Sequence, residues 1–137
     1  MREFERRTFT ADVSELRRLS AWWNDWAAWA RLSDEPSYRG ELCLNEAVAN
    51  VILHGCGDGA AHEITITLER LDGQVRMTLE DNGSAFDPLR HPRPAPLTTL
   101  EDAPVGGLGV ELLRIYSTEA CYRHESGRNV LTLVVDG

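Results

Sequence analysis

In the run Leu44-Asn45-Glu46-Ala47-Val48-Ala49-Asn50-Val51-Ile52-Leu53-His54-Gly55, a carboxylate and a carboxamide stand four residues apart. On a helix that spacing sets Glu46 and Asn50 about 40° apart around the axis, on one shared face. Leu44, Val48 and Val51 fall on roughly the opposite side, so the helix has an apolar stripe to bury while the other side presents Glu46 and Asn50. A carboxylate can accept a proton from an attacking hydroxyl, and Mg²⁺ favours the hard oxygen ligands that Glu and Asn supply. An ordinary solvated helix face also carries such pairs, and both accounts fit this spacing.

A second group, Asp81-Asn82-Gly83-Ser84-Ala85-Phe86-Asp87-Pro88, lies where an apolar alternating run gives way to a long irregular stretch. A lone carboxylate there can accept a hydrogen bond from an amino group such as that of adenine, with Gly83 leaving room for the approach. Asp-Asn-Gly is equally a turn in its own right. The third group, Gly106-Gly107-Leu108-Gly109, directly precedes a helical pattern, so free backbone amides and the positive end of a helix dipole face whatever lies before it. That arrangement suits an anion, although a hinge or a tight start to a helix would use the same glycines. His54, His62, His91, His124 and Cys56 match no common zinc spacing, and no G-x-S-x-G nucleophile elbow is present.

The elements that must position these groups follow from periodicity. Glu3 to Thr10 reads as a short opening strand. From Asp12 or Ser14 to about Leu32, apolar residues recur every three to four positions and predict a helix. It carries Trp22, Trp23, Trp26 and Trp29, more than one narrow stripe, so part of that face is either core or a partner surface. Ser33-Asp34-Glu35-Pro36 reads as a break before a second helix from about Ser37 to His54, which Gly55, Gly57 and Gly59 end. Glu63 to Leu71 and Gln74 to Asp81 alternate around Asp72-Gly73 and predict an antiparallel hairpin. The Pro-rich stretch over 82–105 is too long for a plain connection and reads as a lid. A third helix from Gly106 to about Ser117 and a closing hairpin, Ala120 to His124 with Asn129 to Val135, complete one α+β domain over 1–137. The expected architecture is a two-layer sandwich, about three helices on one face of a mostly antiparallel, mixed sheet.

Composition narrows the chemistry. The 137 residues hold 14 Lys+Arg and 22 Asp+Glu, a formal net charge of −8. Such a chain gains nothing from counterion release, so neither nucleic acid nor an anionic membrane is an expected partner. All 14 basic residues are arginine. Without lysine there is no Walker A loop, no strand lysine of the eukaryotic kinases and no Schiff base, which leaves backbone amides, metal or arginine to handle phosphate. Three cysteines without C-x-x-C spacing, a charged start and no long apolar run lead to the expectation of a cytoplasmic protein.

Taken in order, the three groups resemble the N box and the two glycine boxes of the Bergerat ATP-binding fold, shared by gyrase and histidine kinases in the GHKL superfamily. N-E-A-x-x-N with His54-Gly55 after it, and Phe86-Asp87-Pro88 after the first glycine box, look most like the anti-sigma-factor serine/threonine kinases. The resemblance implies that Asn50 coordinates Mg²⁺ on the triphosphate and that Glu46 is the base for the partner's hydroxyl. It implies that Asp81 reads the adenine amino group, with Gly83 admitting the base. Gly106, Gly107, Leu108 and Gly109 would wrap the phosphates, and Thr132 on the last strand would be a second adenine contact. ATP and Mg²⁺ are the implied cofactors, an anti-anti-sigma antagonist the implied substrate, a sigma factor or similar regulator the implied captive, and a homodimer the implied assembly. A non-catalytic ATP-responsive switch, or an ATPase domain serving a separate histidine phosphotransfer protein, would use the same boxes. Two departures stand out: Ala85 occupies a position where many relatives have glycine, and none of Arg90, Arg93 or Arg114 is marked as the γ-phosphate contact.

Overall fold

The computed structural model describes residues 3–55, 62–89, 113 and 116–137. Strand β1 (Phe4–Thr10) leads through a single 3₁₀ turn (Val13–Glu15) into helix α1 (Leu16–Trp29). The turn is capped by Asp12, whose carboxylate accepts from the Ser14 amide at 2.8 Å. Helix α2 (Asp34–Asn50) runs on into a π-helical turn (Val51–Gly55), and strands β2 (Glu63–Leu71), β3 (Gln74–Asp81), β4 (Glu119–Glu125) and β5 (Arg128–Asp136) follow.

The strands form a single sheet in the order β1-β2-β3-β5-β4. All four pairings are antiparallel, so the described sheet has no parallel component. Two helices are complete among the described residues. The expected third helix survives there only at its end, where Leu113 and Tyr116 are helical and the Ser117 amide donates to the Leu113 carbonyl at 3.2 Å. The expected α+β sandwich is therefore present, with its helices on one sheet face.

The helical layer packs on the face built from Phe9, Ile64, Ile66, Leu68, Val75, Met77, Leu79, Leu131, Leu133 and Val135. Strict alternation in each strand sends Thr65, Thr78 and Thr132 to the other face. The tryptophans of α1 settle the choice left open above. Trp22, Trp23 and Trp26 are buried and Trp29 is packed against the core, so the core reading of that face holds and the partner-surface reading of Trp22 does not. Trp23 also fixes how the helices approach. Its indole nitrogen donates to the Ser37 carbonyl at 2.8 Å, and a Cβ on Gly40 would lie 2.2 Å from its ring.

Ser33-Asp34-Glu35-Pro36 starts α2 instead of breaking it. Proline lacks only an amide that the first turn leaves unpaired anyway, and Asp34 and Glu35 sit at the positive end of the dipole. No helix among the described residues is long and apolar enough to cross a membrane.

Candidate functional site

The end of β3 and the start of β5 lie side by side, and Asp81 and Asn129 are direct cross-strand partners. Both are in phase with the inward-facing residues of their strands, so two polar side chains end up at the rim of the core, 4% and 5% exposed. The Asp81 carboxylate uses Oδ1 inside the protein. That oxygen accepts from the Gly83 amide at 2.9 Å and from Asn129 Nδ2 at 3.0 Å. One oxygen of Asp81 thus closes the Asp-Asn-Gly turn, and the expected adenine contact rests on Oδ2.

Asn129 holds the same loop at further points. Its Nδ2 donates to the carbonyls of Ser84 at 2.9 Å and Gly83 at 3.4 Å, while its Oδ1 accepts from the Phe86 amide at 3.3 Å and from the Tyr122 hydroxyl.

Helix α2 supplies the facing wall. Asn50 is buried, 2% exposed, and its Nδ2 has no hydrogen-bond partner among the described residues. A buried amide donor left in this state costs about 1–3 kcal/mol unless a ligand satisfies it. The wheel had placed Asn50 with Glu46 on the outward side. The loop after β3 lines one pocket with Asn50, which is enclosed, and Glu46, one turn earlier, is half-buried. Burial pushes the Glu46 carboxyl above its ordinary value.

Asn50, Ala47 and Val51 on one side and Leu79, Asp81, Asn129, Leu131 and Tyr122 on the other line a common cavity, with Ser84, Phe86 and Pro88 of the loop as its third wall. The cavity as it stands measures about 20 Å³. That is room for about one water. Phe86 is one of its walls, and its ring stacks on His54 of the π-helical turn with centroids 4.2 Å apart and planes 15° from parallel.

Thr132 does not join this group. It lies three residues along β5 from Asn129, on the opposite sheet face, paired with Thr78 and Cys121. The reason is parity: an odd separation on a strand reverses the side chain. Asn129 is the residue the sequence reading missed at that place. The glycines at 106, 107 and 109 and Leu108, with Arg90, Arg93 and Arg114, lie outside the described residues, as does most of the 82–105 lid. Among the described residues no cluster of three or more His, Cys, Asp or Glu forms a metal cage. The donor that would hold Mg²⁺ here is the single carboxamide of Asn50, a sparse protein contribution suited to an ion that shares its shell with phosphate oxygens and waters.

A two-layer α+β domain with a pocket between an N-box helix and the ends of two central strands defines a class, the kinase-type ATPase domains. The chain belongs to the histidine kinase-like ATPase domain family, which matches residues 9–135. A serine/threonine-protein kinase, BtrW of Bordetella bronchiseptica, is 35% identical over 92 residues, which are 67% of this chain and 65% of that one. Among solved structures, that of the RsbU and RsbW domains of Rv1364c from Mycobacterium tuberculosis superposes with a TM-score of 0.70 at 19% identity, over 97% of this chain and 32% of that one. The histidine kinase domain of a blue-light-activated kinase from Erythrobacter litoralis follows with a TM-score of 0.54 at 16% identity, over 90% of this chain and 59% of that one. The chain thus spans less than two thirds of each of these proteins. The family and the BtrW match agree with the box-by-box resemblance to GHKL domains and to serine/threonine kinases among them.

Proposed function

We propose that this chain binds ATP with Mg²⁺ and transfers the γ-phosphoryl group to a serine or threonine hydroxyl of an antagonist protein, holding a sigma factor or similar regulator when unopposed. The observation that carries the reading is Asn50. A buried carboxamide with an unpartnered Nδ2, in a pocket that also contains Asp81, is accounted for by a polar ligand spanning the two. Asp81 Oδ2 would accept from the adenine amino group at one end. Asn50 would direct its carboxamide oxygen to Mg²⁺ at the other, where the ion supplies positive charge to the phosphate oxygens.

Glu46 supports transfer over mere binding. It lies one turn from Asn50, half-buried, with a carboxyl raised above its ordinary value by burial. In its ionised form it takes the proton of the incoming hydroxyl as the new O–P bond forms, while the bond from γ-phosphorus to the β,γ-bridging oxygen breaks and ADP leaves. The similarity to BtrW, itself named a serine/threonine-protein kinase, favours a hydroxyl acceptor. The proposed assembly is a homodimer in the cytoplasm.

Calorimetric titration with ATP, with and without Mg²⁺, tests the site, beside Asp81→Asn. The expected result is binding strengthened by Mg²⁺ and weakened by roughly 10–100-fold in the variant, the scale of a charge-assisted hydrogen bond. A folded wild-type chain that binds no ATP would overturn the reading. ATP binding without phosphorylation of a purified antagonist would leave an ATP-responsive switch.

A further inference from the structure

Every polar atom of the Asn129 side chain is spent inside the protein, and the partners settle which way round its amide stands. Backbone amides only donate and backbone carbonyls only accept. The atom facing the Phe86 amide must therefore be Oδ1, and the atom facing the Ser84 carbonyl must be Nδ2. Tyr122, on the edge strand β4, adds its hydroxyl to Oδ1 as a second donor. Burial, first, and then the carboxylates of Asp87 and Asp81 push its phenol above the ordinary value, although the Phe86 backbone pulls the other way.

The consequence reaches Asp81. Because Nδ2 is fixed in place, it claims Asp81 Oδ1 together with the Gly83 amide, and the carboxylate is held with Oδ2 as its remaining acceptor. We infer that Tyr122 and Asn129 form a lock on the Asp81 carboxylate, acting as positioning residues that set the preference of this pocket for a purine with an amino group over one with a keto oxygen. The inference rests on the nucleotide reading above and adds the residues that give it base selectivity. Neither residue need touch the phosphates, and Tyr122, which also lines the pocket, is assigned its effect on Asp81 through Asn129. With the lock released, the Gly83 amide alone holds Oδ1, and one hydrogen bond leaves the carboxylate able to turn about its own bond. The aligned acceptor is lost to the amino group, whereas a keto purine, which never used that bond, loses nothing.

The test is parallel titration of wild type, Tyr122→Phe and Asn129→Ser with Mg²⁺-ATP and with Mg²⁺-ITP, whose base carries a keto oxygen in place of the amino group. Thermal unfolding of each variant confirms that it folds. Wild type is expected to favour ATP. Tyr122→Phe should weaken ATP by roughly tenfold, one hydrogen bond's worth, while ITP stays within about twofold. Asn129→Ser should move ATP in the same direction and further. Equal weakening of both nucleotides would mean a structural role only and would overturn the lock. So would unchanged discrimination in Tyr122→Phe. Wild type binding neither nucleotide would bring down the nucleotide reading first and the lock with it, whereas binding both alike would remove the Asp81 selection while leaving a nucleotide site.

Discussion

Two asparagines buried at opposite walls of one pocket are in contrary states. Asn129 satisfies its whole carboxamide within the protein, whereas Asn50, buried to the same degree, leaves its Nδ2 without a partner among the described residues. On the proposed reading, the Asn129 end, assigned to the base, would be built before ATP arrives, and the Asn50 end, assigned to the phosphates, would be completed by it. Preorganisation at the first end favours selective binding at little ordering cost. Incompleteness at the second means that groups near the reacting atoms gain most when the nucleotide is in place, the condition for accelerating a step as well as binding its substrate.

The sharpest break between the ends is expected at Glu46. Glu46→Gln removes the proposed proton acceptor and should lower phosphoryl transfer by about 10²–10⁴-fold, with ATP affinity at the base end unchanged. Wild-type transfer should rise with pH as Glu46 ionises, with its inflection displaced upward from the ordinary glutamate value because burial raises it. That acid limb should vanish in the variant. The sign for stability is opposite. A carboxyl raised in the folded state contributes stability below its unfolded pKa and loses it as pH rises through the folded value. Glu46→Gln should therefore unfold no earlier than wild type at neutral pH and lose any advantage on acidification. Unchanged transfer in Glu46→Gln would move the base elsewhere.

The two asparagines give the next largest contrast, read in stability. Asn129→Leu strands the Phe86 amide, the Ser84 carbonyl and the Tyr122 hydroxyl, and should cost roughly 2–4 kcal/mol. Asn50→Leu fills the same kind of volume but removes an amide donor that has no partner. It should leave the unfolding midpoint unchanged or raise stability by about 1 kcal/mol, while abolishing the Mg²⁺-dependent gain in ATP affinity. Denaturant unfolding of both variants without nucleotide reads the difference. Equal destabilisation would show that Asn50 is a structural asparagine and that the two ends do not differ in kind.

How far the sequence anticipates this contrast depends on which forces set each feature. The β2 and β3 limits, 63–71 and 74–81, follow directly from alternation around Asp72-Gly73 because hairpin register is local. The start of α2 does not, since Pro36 is a helix breaker except in a first turn, and only the structure shows where that turn falls. Asn129 was legible in part. It shares phase with Leu131, Leu133 and Val135, so a polar residue at an inward position was visible, and the same parity argues against Thr132. Its pairing with Asp81 was not legible, because the contact of β3 with β5 is long-range. The burial of Asn50 was hidden for a related reason: a helical wheel shows one helix, and the loop that lines one pocket with Asn50 lies more than thirty residues further along the chain.

The smallest expected effect concerns the wall between the two ends. A cavity of about 20 Å³ cannot take a purine until a wall moves. The backbone of the loop at 83, 84 and 86 is tied to Asn129, so on the proposed reading the wall expected to move is the Phe86 side chain. It is detained by His54, delivered over its ring by the π-helical turn that ends α2, a distortion that recurs at functional sites. A stacked pair of this kind is worth about 0.5–1.5 kcal/mol, so His54→Ala should speed nucleotide association by roughly 2–10-fold. Affinity should rise or hold, because the cost of opening has been removed before binding. Stopped-flow association of a fluorescent ATP analogue reads the rate. If instead the variant binds more weakly at an unchanged association rate, Phe86 stays in place when the nucleotide is bound, and the stack belongs to the preorganised base end.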